Sequence, residues 1–215
     1  YGRVVTSIWF RTGFVAVLVA FASLFALTSN TRAKTVDVHL NARTATVKVA
    51  PGVKMRAWTF NRTVPGPVIR ATQGDTVRVT LKNSHVARHV KCPKRKGKKR
   101  ARCLHRKHRL QSMWHSVDFH AGMVNPDTIM RDIKPGERLV YRFRAEHTGI
   151  WLYHCATAPM AVHLASGMFG AVVIDPPDLA PVDAEYLMVQ SENYLGPDGG
   201  PTDADKVFAG TPDLV

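Results

Sequence analysis

From Lys34 onward the chain is a succession of short runs in which apolar and polar residues alternate, most of them closed by Gly or Pro. "TVDVHLNA", "TATVKVA", "MRAWTF", "DTVRVTLKN", "ERLVYRFRA", "GIWLYHC" and "GAVVID" each have the two-residue period that puts one face of a strand inward and the other outward. "VPGP" at 64–67, "QGD" at 73–75 and "KPGE" at 134–137 carry turn chemistry between such runs. No long stretch repeats its apolar residues at helical spacing, and there is no internal repeat. These features predict an all-β chain, an antiparallel sandwich or barrel.

The ends follow different rules. The chain starts at Tyr1 rather than Met and ends in "AGTPDLV", so it reads as part of a longer protein. Arg3 and Arg11 precede an uncharged run of fifteen residues, 13–27, "GFVAVLVAFASLFAL". That length suits the apolar core of an export signal and is short for a membrane span. With "TRA" ending at Ala33 as a small-residue cleavage site, residues 1–33 are expected to be a cleaved signal or a retained anchor. Either places the remainder outside the cytoplasm. Residues 34–177 are expected to form one domain. "DPPDLAP" at 175–181 looks like a linker, and "EYLMVQSENYLG" looks like the first strand of a second domain within 178–215.

The net charge of +14 is concentrated in one place. Residues 85–109, "HVARHVKCPKRKGKKRARCLHRKHR", hold twelve Lys/Arg and no acid, so the rest of the chain is near neutral. This is an insert between strands, with no aromatic residues to stack bases, in a chain expected to be exported; a nucleic-acid partner is excluded on those grounds. Cys92 and Cys103 bracket it and can close it as a disulfide in an oxidising compartment. With the two cysteines, its histidines His85, His89, His105 and His108 could form a zinc or copper site, although the Cys92–Cys103 spacing matches no zinc signature. The expectation is a solvated, disulfide-closed basic loop; an anionic partner such as lipid headgroups, cell-wall polymer or an acidic electron donor is the next reading.

One apolar segment is out of character. Residues 151–168, "WLYHCATAPMAVHLASGM", contain one cysteine, two histidines and two methionines. A lone Cys in an apolar strand is usually a small packed hydrophobe. Here Cys155 is accompanied by His163 and Met168, the thiolate, imidazole and thioether that suit blue-copper sites. Upstream, "WHSVDFHAG" offers His115 and His120. Met160 is a rival axial sulfur, and His39 and His147 are expected to be ordinary surface residues. In "YHC" neighbouring side chains point to opposite faces of a strand, so His154 and Cys155 can face two different metals. The five-residue separation of His115 and His120 does the same.

"TFNRTVPGPVIRATQGDTVRVTLKN", "HSVDFHA" and "YHCATAPMAVHLASGMFGAVVIDP" together resemble the first cupredoxin domain, a Greek-key β-sandwich, of copper-containing nitrite reductases and their multicopper-oxidase relatives. The resemblance implies two copper centres. Type 1 copper would be held by His115, Cys155, His163 and Met168, and type 2 copper by His120 and His154. It makes Asp118 the active-site acid, hydrogen-bonding nitrite and delivering a proton. It implies a homotrimer in which a neighbouring subunit completes type 2 copper, and an electron-donor cupredoxin or cytochrome as partner. The implied reaction is the one-electron reduction of nitrite to nitric oxide. A two-domain laccase-like oxidase is the competing enzyme reading, although "YHCAT" lacks the HCH and HxH pattern of a trinuclear cluster. A cupredoxin electron carrier with an incomplete second site is the competing non-enzyme reading.

Overall fold

The structure, a computed structural model, describes residues 33–85, 94, 96–103, 113–123, 131–197 and 199–215. All fall in the compact unit Ala33–Val215. The expected signal or anchor, apart from Ala33, and Cys92 lie outside the described residues. Among the described residues no helix is long and apolar enough to cross a membrane.

Among the described residues eight strands form two four-stranded sheets: β1 (Thr35–Ala50), β2 (Val53–Phe60), β3 (Ile69–Thr72), β4 (Thr76–Asn83), β5 (Asp118–Phe119), β6 (Arg138–Arg144), β7 (Gly149–His154) and β8 (Phe169–Asp175). One sheet has the order β2-β1-β4-β6, the other β3-β8-β7-β5. The expected sandwich is therefore present, with three differences. "TVDVHLNA" and "TATVKVA" are one continuous strand, β1. "IRAT" is a further strand, β3, too short to show a period. Finally, the sheets are mixed, because β1 runs parallel to β4 and β3 parallel to β8. β1 turns back through Pro51 and Gly52, whose φ of 78° suits glycine, into antiparallel β2. The chain then visits the other sheet as β3 before returning as β4, and such a crossover lets two strands of one sheet run parallel.

The two-residue period does the packing. Along β4 the apolar residues Val77, Val79 and Leu81 are all fully buried. They meet Leu40 and Ala42 of β1, Tyr141 and Phe143 of β6, and Phe119, Tyr153, Val172 and Ile174 from the opposite sheet in one core. Tyr153 organises its centre. Its ring packs against Phe60 and Phe119, and its hydroxyl donates to the Pro67 carbonyl at 2.7 Å. Gly66 and Gly170 make room for it: a Cβ at Gly66 would lie 2.5 Å from the Tyr153 hydroxyl, and one at Gly170 would overlap the ring itself.

The C-terminal run departs from its pattern. "EYLMVQSENYLG" forms no strand; it contributes only isolated bridges, Asn193 to Leu214 and Leu195 to Thr202. Tyr186 and Met188 alternate as a strand's apolar face would, yet they are exposed because no ladder pairs with them. The tail nevertheless docks on the domain. Gly200 accepts from Arg56 N at 2.8 Å, and the Thr202 hydroxyl donates to the Ala165 carbonyl at 3.3 Å. It ends in a short helix, α2 (Ala204–Ala209), capped by the Asp203 carboxylate.

Tyr153 cannot move aside without losing its place in the core, so Gly170→Ala is expected to overpack it. We expect a loss of about 1–3 kcal/mol, read by chemical denaturation.

Candidate metal centres

The second sheet ends at the site. β7 lies between β8 and β5, and its register sets Tyr153 opposite Phe119 and His154 opposite Asp118. The ladder continues one step beyond the strand, with Cys155 N donating to the Met168 carbonyl at 3.0 Å. The segment between Cys155 and Met168 is not a plain loop. It contains a short helix, α1 (Met160–Ala165), and His163 is its buried residue. The helix closes with Met168 N donating to the His163 carbonyl at 3.2 Å. His115 sits in an isolated bridge with Ile133 rather than in a strand, held by two backbone hydrogen bonds of 3.2 and 2.8 Å.

These elements bring His115, Cys155 and His163 together, all buried, with one donor atom of each within 4.8 Å of the others. Both imidazoles turn Nδ1 toward the sulfur: Sγ lies 3.7 Å from His115 Nδ1 and 3.3 Å from His163 Nδ1. Met168 is fully buried in the core cluster that includes Cys155. Met160, by contrast, is half exposed. Trp58 stands edge-on to His115 and His163, with ring centroids 5.9 and 4.8 Å away. Burial raises the Cys155 thiol, although hydrogen bonding from Thr157 pulls the other way. Burial also holds His115 well below the ordinary histidine range and His163 down to about 4. A neutral imidazole pair facing a buried sulfur is the donor set of a soft or borderline metal ion, whose charge would also deprotonate the thiol. His163 Nε2 is buried with no hydrogen-bond partner among the described residues.

A second cluster lies one residue away along the chain. Asp118, His120 and His154 offer donor atoms within 4.8 Å of one another. His120 Nε2 and His154 Nε2 are 3.1 Å apart, and Asp118 Oδ2 is 3.9 Å from the first and 4.0 Å from the second. His154 Nδ1 is 3.1 Å from the Cys155 carbonyl, which leaves its Nε2 aimed at the cluster. His120 is carried by a 3-10 turn, His120–Gly122, at the end of β5 and is the exposed member. Two imidazoles and a carboxylate with one open side suit a metal that exchanges a small ligand. His154 and Cys155 thus face different clusters, as do His115 and His120.

Three sets of residues were not legible as site residues from sequence. Thr157 donates to Asp132 at 2.7 Å and lies 3.1 Å from the Ser116 hydroxyl, a polar network beside Cys155. Trp58 forms an aromatic wall. His85 is the third and the largest surprise. Grouped by charge with the basic insert, it is instead 5% exposed and packed behind His115. The useful signal was its distance from β4: it lies two residues past Asn83, where the chain is still tied to the sheet. His39 and His147 are exposed, as expected. In the insert, Cys103 is disulfide-bonded and Cys155 is free.

The buried histidines are expected to make the metal-free domain acid-sensitive. Burial, together with the charges of Arg43 and Arg56, lowers His85 to about 4, and burial lowers His163 to about 4. Unfolded, each would titrate near 6.5, so between about 6.5 and about 4 the unfolded chain binds the extra protons. Stability is therefore expected to be full above that window and to fall as the pH drops through it. Denaturation of the metal-free protein at pH 7.5 and 5 tests this; equal midpoints would contradict the burial of neutral histidines.

Residues 41–91 and 114–178 match multicopper oxidase family models. The chain is 32% identical over 187 residues to the copper-containing nitrite reductase of Neisseria meningitidis serogroup A, covering 84% of this chain and 42% of that protein. It is 30% identical over 174 residues to the copper-containing nitrite reductase of Pseudomonas chlororaphis, covering 76% of this chain and 40% of that one. Among solved structures, copper nitrite reductase from Nitrosomonas europaea superimposes with a TM-score of 0.64 at 35% identity, over 83% of this chain and 54% of the other. The chain thus spans about half the length of these relatives, or less. It belongs to the multicopper oxidase family, and its described residues form a cupredoxin domain of the copper nitrite reductase kind.

Proposed function

We propose that this chain is the electron-accepting part of an exported copper nitrite reductase, with type 1 copper at His115, Cys155, His163 and Met168 and type 2 copper at His120 and His154. The observation that carries the reading is the juxtaposition of two donor clusters through consecutive residues, His154 and Cys155, with Asp118 directly across the ladder from His154. Copper at both positions would supply one-electron chemistry at the first and binding of a small anion at the second.

The residues then divide the work. Cys155 would hold the first metal as a thiolate, and the main chain between Cys155 and His154 would offer an electron a route of a few covalent bonds to the second. His120 and His154 would hold the second metal, and nitrite would approach from the exposed side beside His120. Reduction of nitrite to nitric oxide consumes one electron and two protons and releases water. Asp118 Oδ2, about 4 Å from both imidazoles, is positioned to hold and deliver one of those protons as the N–O bond breaks. The second cluster has two imidazoles among the described residues, so a third from a neighbouring subunit of a trimer completes it in this reading. The "YHCAT" and HxxxxH motifs differ from the HCH and HxH pattern of a trinuclear oxygen-reducing centre. The electron donor is a small cupredoxin or cytochrome, the location is extracytoplasmic, and the basic insert offers a contact for an anionic surface.

Two substitutions in the full-length protein test the assignment. Copper-loaded protein is expected to be strongly coloured by the Cys155 thiolate, and Cys155→Ser to be colourless by visible absorption; a coloured Cys155→Ser protein would remove Cys155 from type 1 copper. Asp118→Asn is expected to keep the colour while lowering nitrite turnover about 10²–10⁴-fold, the usual worth of a positioned proton donor. Unchanged turnover would take Asp118 out of the mechanism.

A further inference from the structure

We infer that His85 is a positioning residue for His115, forming with Thr44 a buried relay of hydrogen bonds that fixes the tautomer of this copper ligand and sets its donor strength. The inference rests on the type 1 copper reading above. His85 follows β4 and is anchored there by its own N–H, which donates to Asn83 Oδ1 at 3.0 Å. Its Nδ1 lies 2.6 Å from His115 Nε2, and its Nε2 lies 2.8 Å from the Thr44 hydroxyl on β1. The two rings are 4.7 Å apart, and Trp58 closes one side of the pair.

His85 is not a fourth nitrogen ligand. It contacts the ring nitrogen of His115 opposite the one that faces Cys155 Sγ. That opposition decides the protons. If His115 Nδ1 gives its lone pair to copper, Nε2 must carry the hydrogen and donate it to His85 Nδ1. His85 Nε2 then carries the second hydrogen and donates it to Thr44 Oγ1. Each of the three groups has one role, and reversing any of them leaves a buried nitrogen unpaired.

Metal-bound histidines usually donate their outer N–H to a carboxylate, a carbonyl or water. An imidazole is a stronger acceptor than a carbonyl and carries no charge into the core, so it raises the basicity of His115 without the cost of a buried anion. A more basic ligand favours Cu(II) over Cu(I) and lowers the midpoint potential. The other copper imidazole has no such support among the described residues, where His163 Nε2 finds no hydrogen-bond partner. The two histidines of the centre are therefore unequal donors.

The test uses copper-loaded full-length protein and reads the midpoint potential and the thiolate-to-copper absorption rather than turnover. His85→Phe keeps a ring in the space but accepts no hydrogen bond. It is expected to weaken Cu(II) affinity about tenfold, which at constant Cu(I) affinity is a rise of about 59 mV for one electron, with a shifted absorption band. His85→Asn, whose amide oxygen can occupy the place of Nδ1, is expected to restore most of both. Thr44→Val leaves both rings in place and is expected to move the potential the same way by less. A potential and band in His85→Phe equal to those of the parent would overturn the inference. Should His85→Phe fail to fold, an unshifted Thr44→Val does so. If the parent protein itself shows no thiolate-to-copper band, the copper reading falls and this inference with it; a coloured parent with unshifted variants overturns the inference alone.

Discussion

The alternation of side chains at the end of β7 is the constraint from which the site follows. His154 pairs with Asp118 on β5, and Cys155 extends the ladder to Met168, just ahead of β8. Because successive residues of an extended chain face opposite ways, His154 joins one cluster and Cys155 the other. A one-residue slip of β7 against its neighbours would exchange them, putting the sulfur beside Asp118 and the imidazole in the core. Register is thus a functional quantity here. The core enforces it through Tyr153, whose ring fills the space left by Gly66 and Gly170 and whose hydroxyl is tied to Pro67.

Burial differs between the two clusters, and so does the chemistry each can perform. His115, Cys155 and His163 are all fully buried, with both imidazoles kept neutral by desolvation. Such a site cannot admit a substrate and reorganises little when its charge changes, which suits electron transfer. The second cluster has a buried imidazole, an exposed one and a partly exposed carboxylate. Its exposed imidazole puts it in reach of solvent and of protons from it. The two clusters thus differ in how far they lie from solvent as much as in the identity of their side chains.

Support behind the buried cluster comes from residues distant in sequence. Thr44 on β1 and Asn83 at the end of β4 both hold His85, and His85 alone meets the outer nitrogen of His115. Thr157, Ser116 and Asp132 form a separate polar network on the Cys155 side. Every polar atom in these chains removes a buried donor or acceptor from the list of unpaired groups, and together they leave the ligand rings few orientations.

The sequence by itself determined the fold class and the residues at the two clusters. Two-residue periodicity written along β4 and β7 is local information, and so is the adjacency of His154 and Cys155. It could not determine what depends on pieces of chain meeting in space. The parallel pairings of β1 with β4 and β3 with β8 follow from how the chain crosses between sheets, which no run of alternating residues records. The tail's strand-like pattern found no ladder partner, so Tyr186 and Met188 remained exposed despite their spacing. His163 turned out to ride on α1, a helix of six residues too short to show a period. His85 was masked by the charged residues that follow it, although two hydrogen bonds bury it behind His115. A ligand's identity is carried by its own side chain, whereas its second partner is set only when separate strands pack, and that the tertiary structure alone decided.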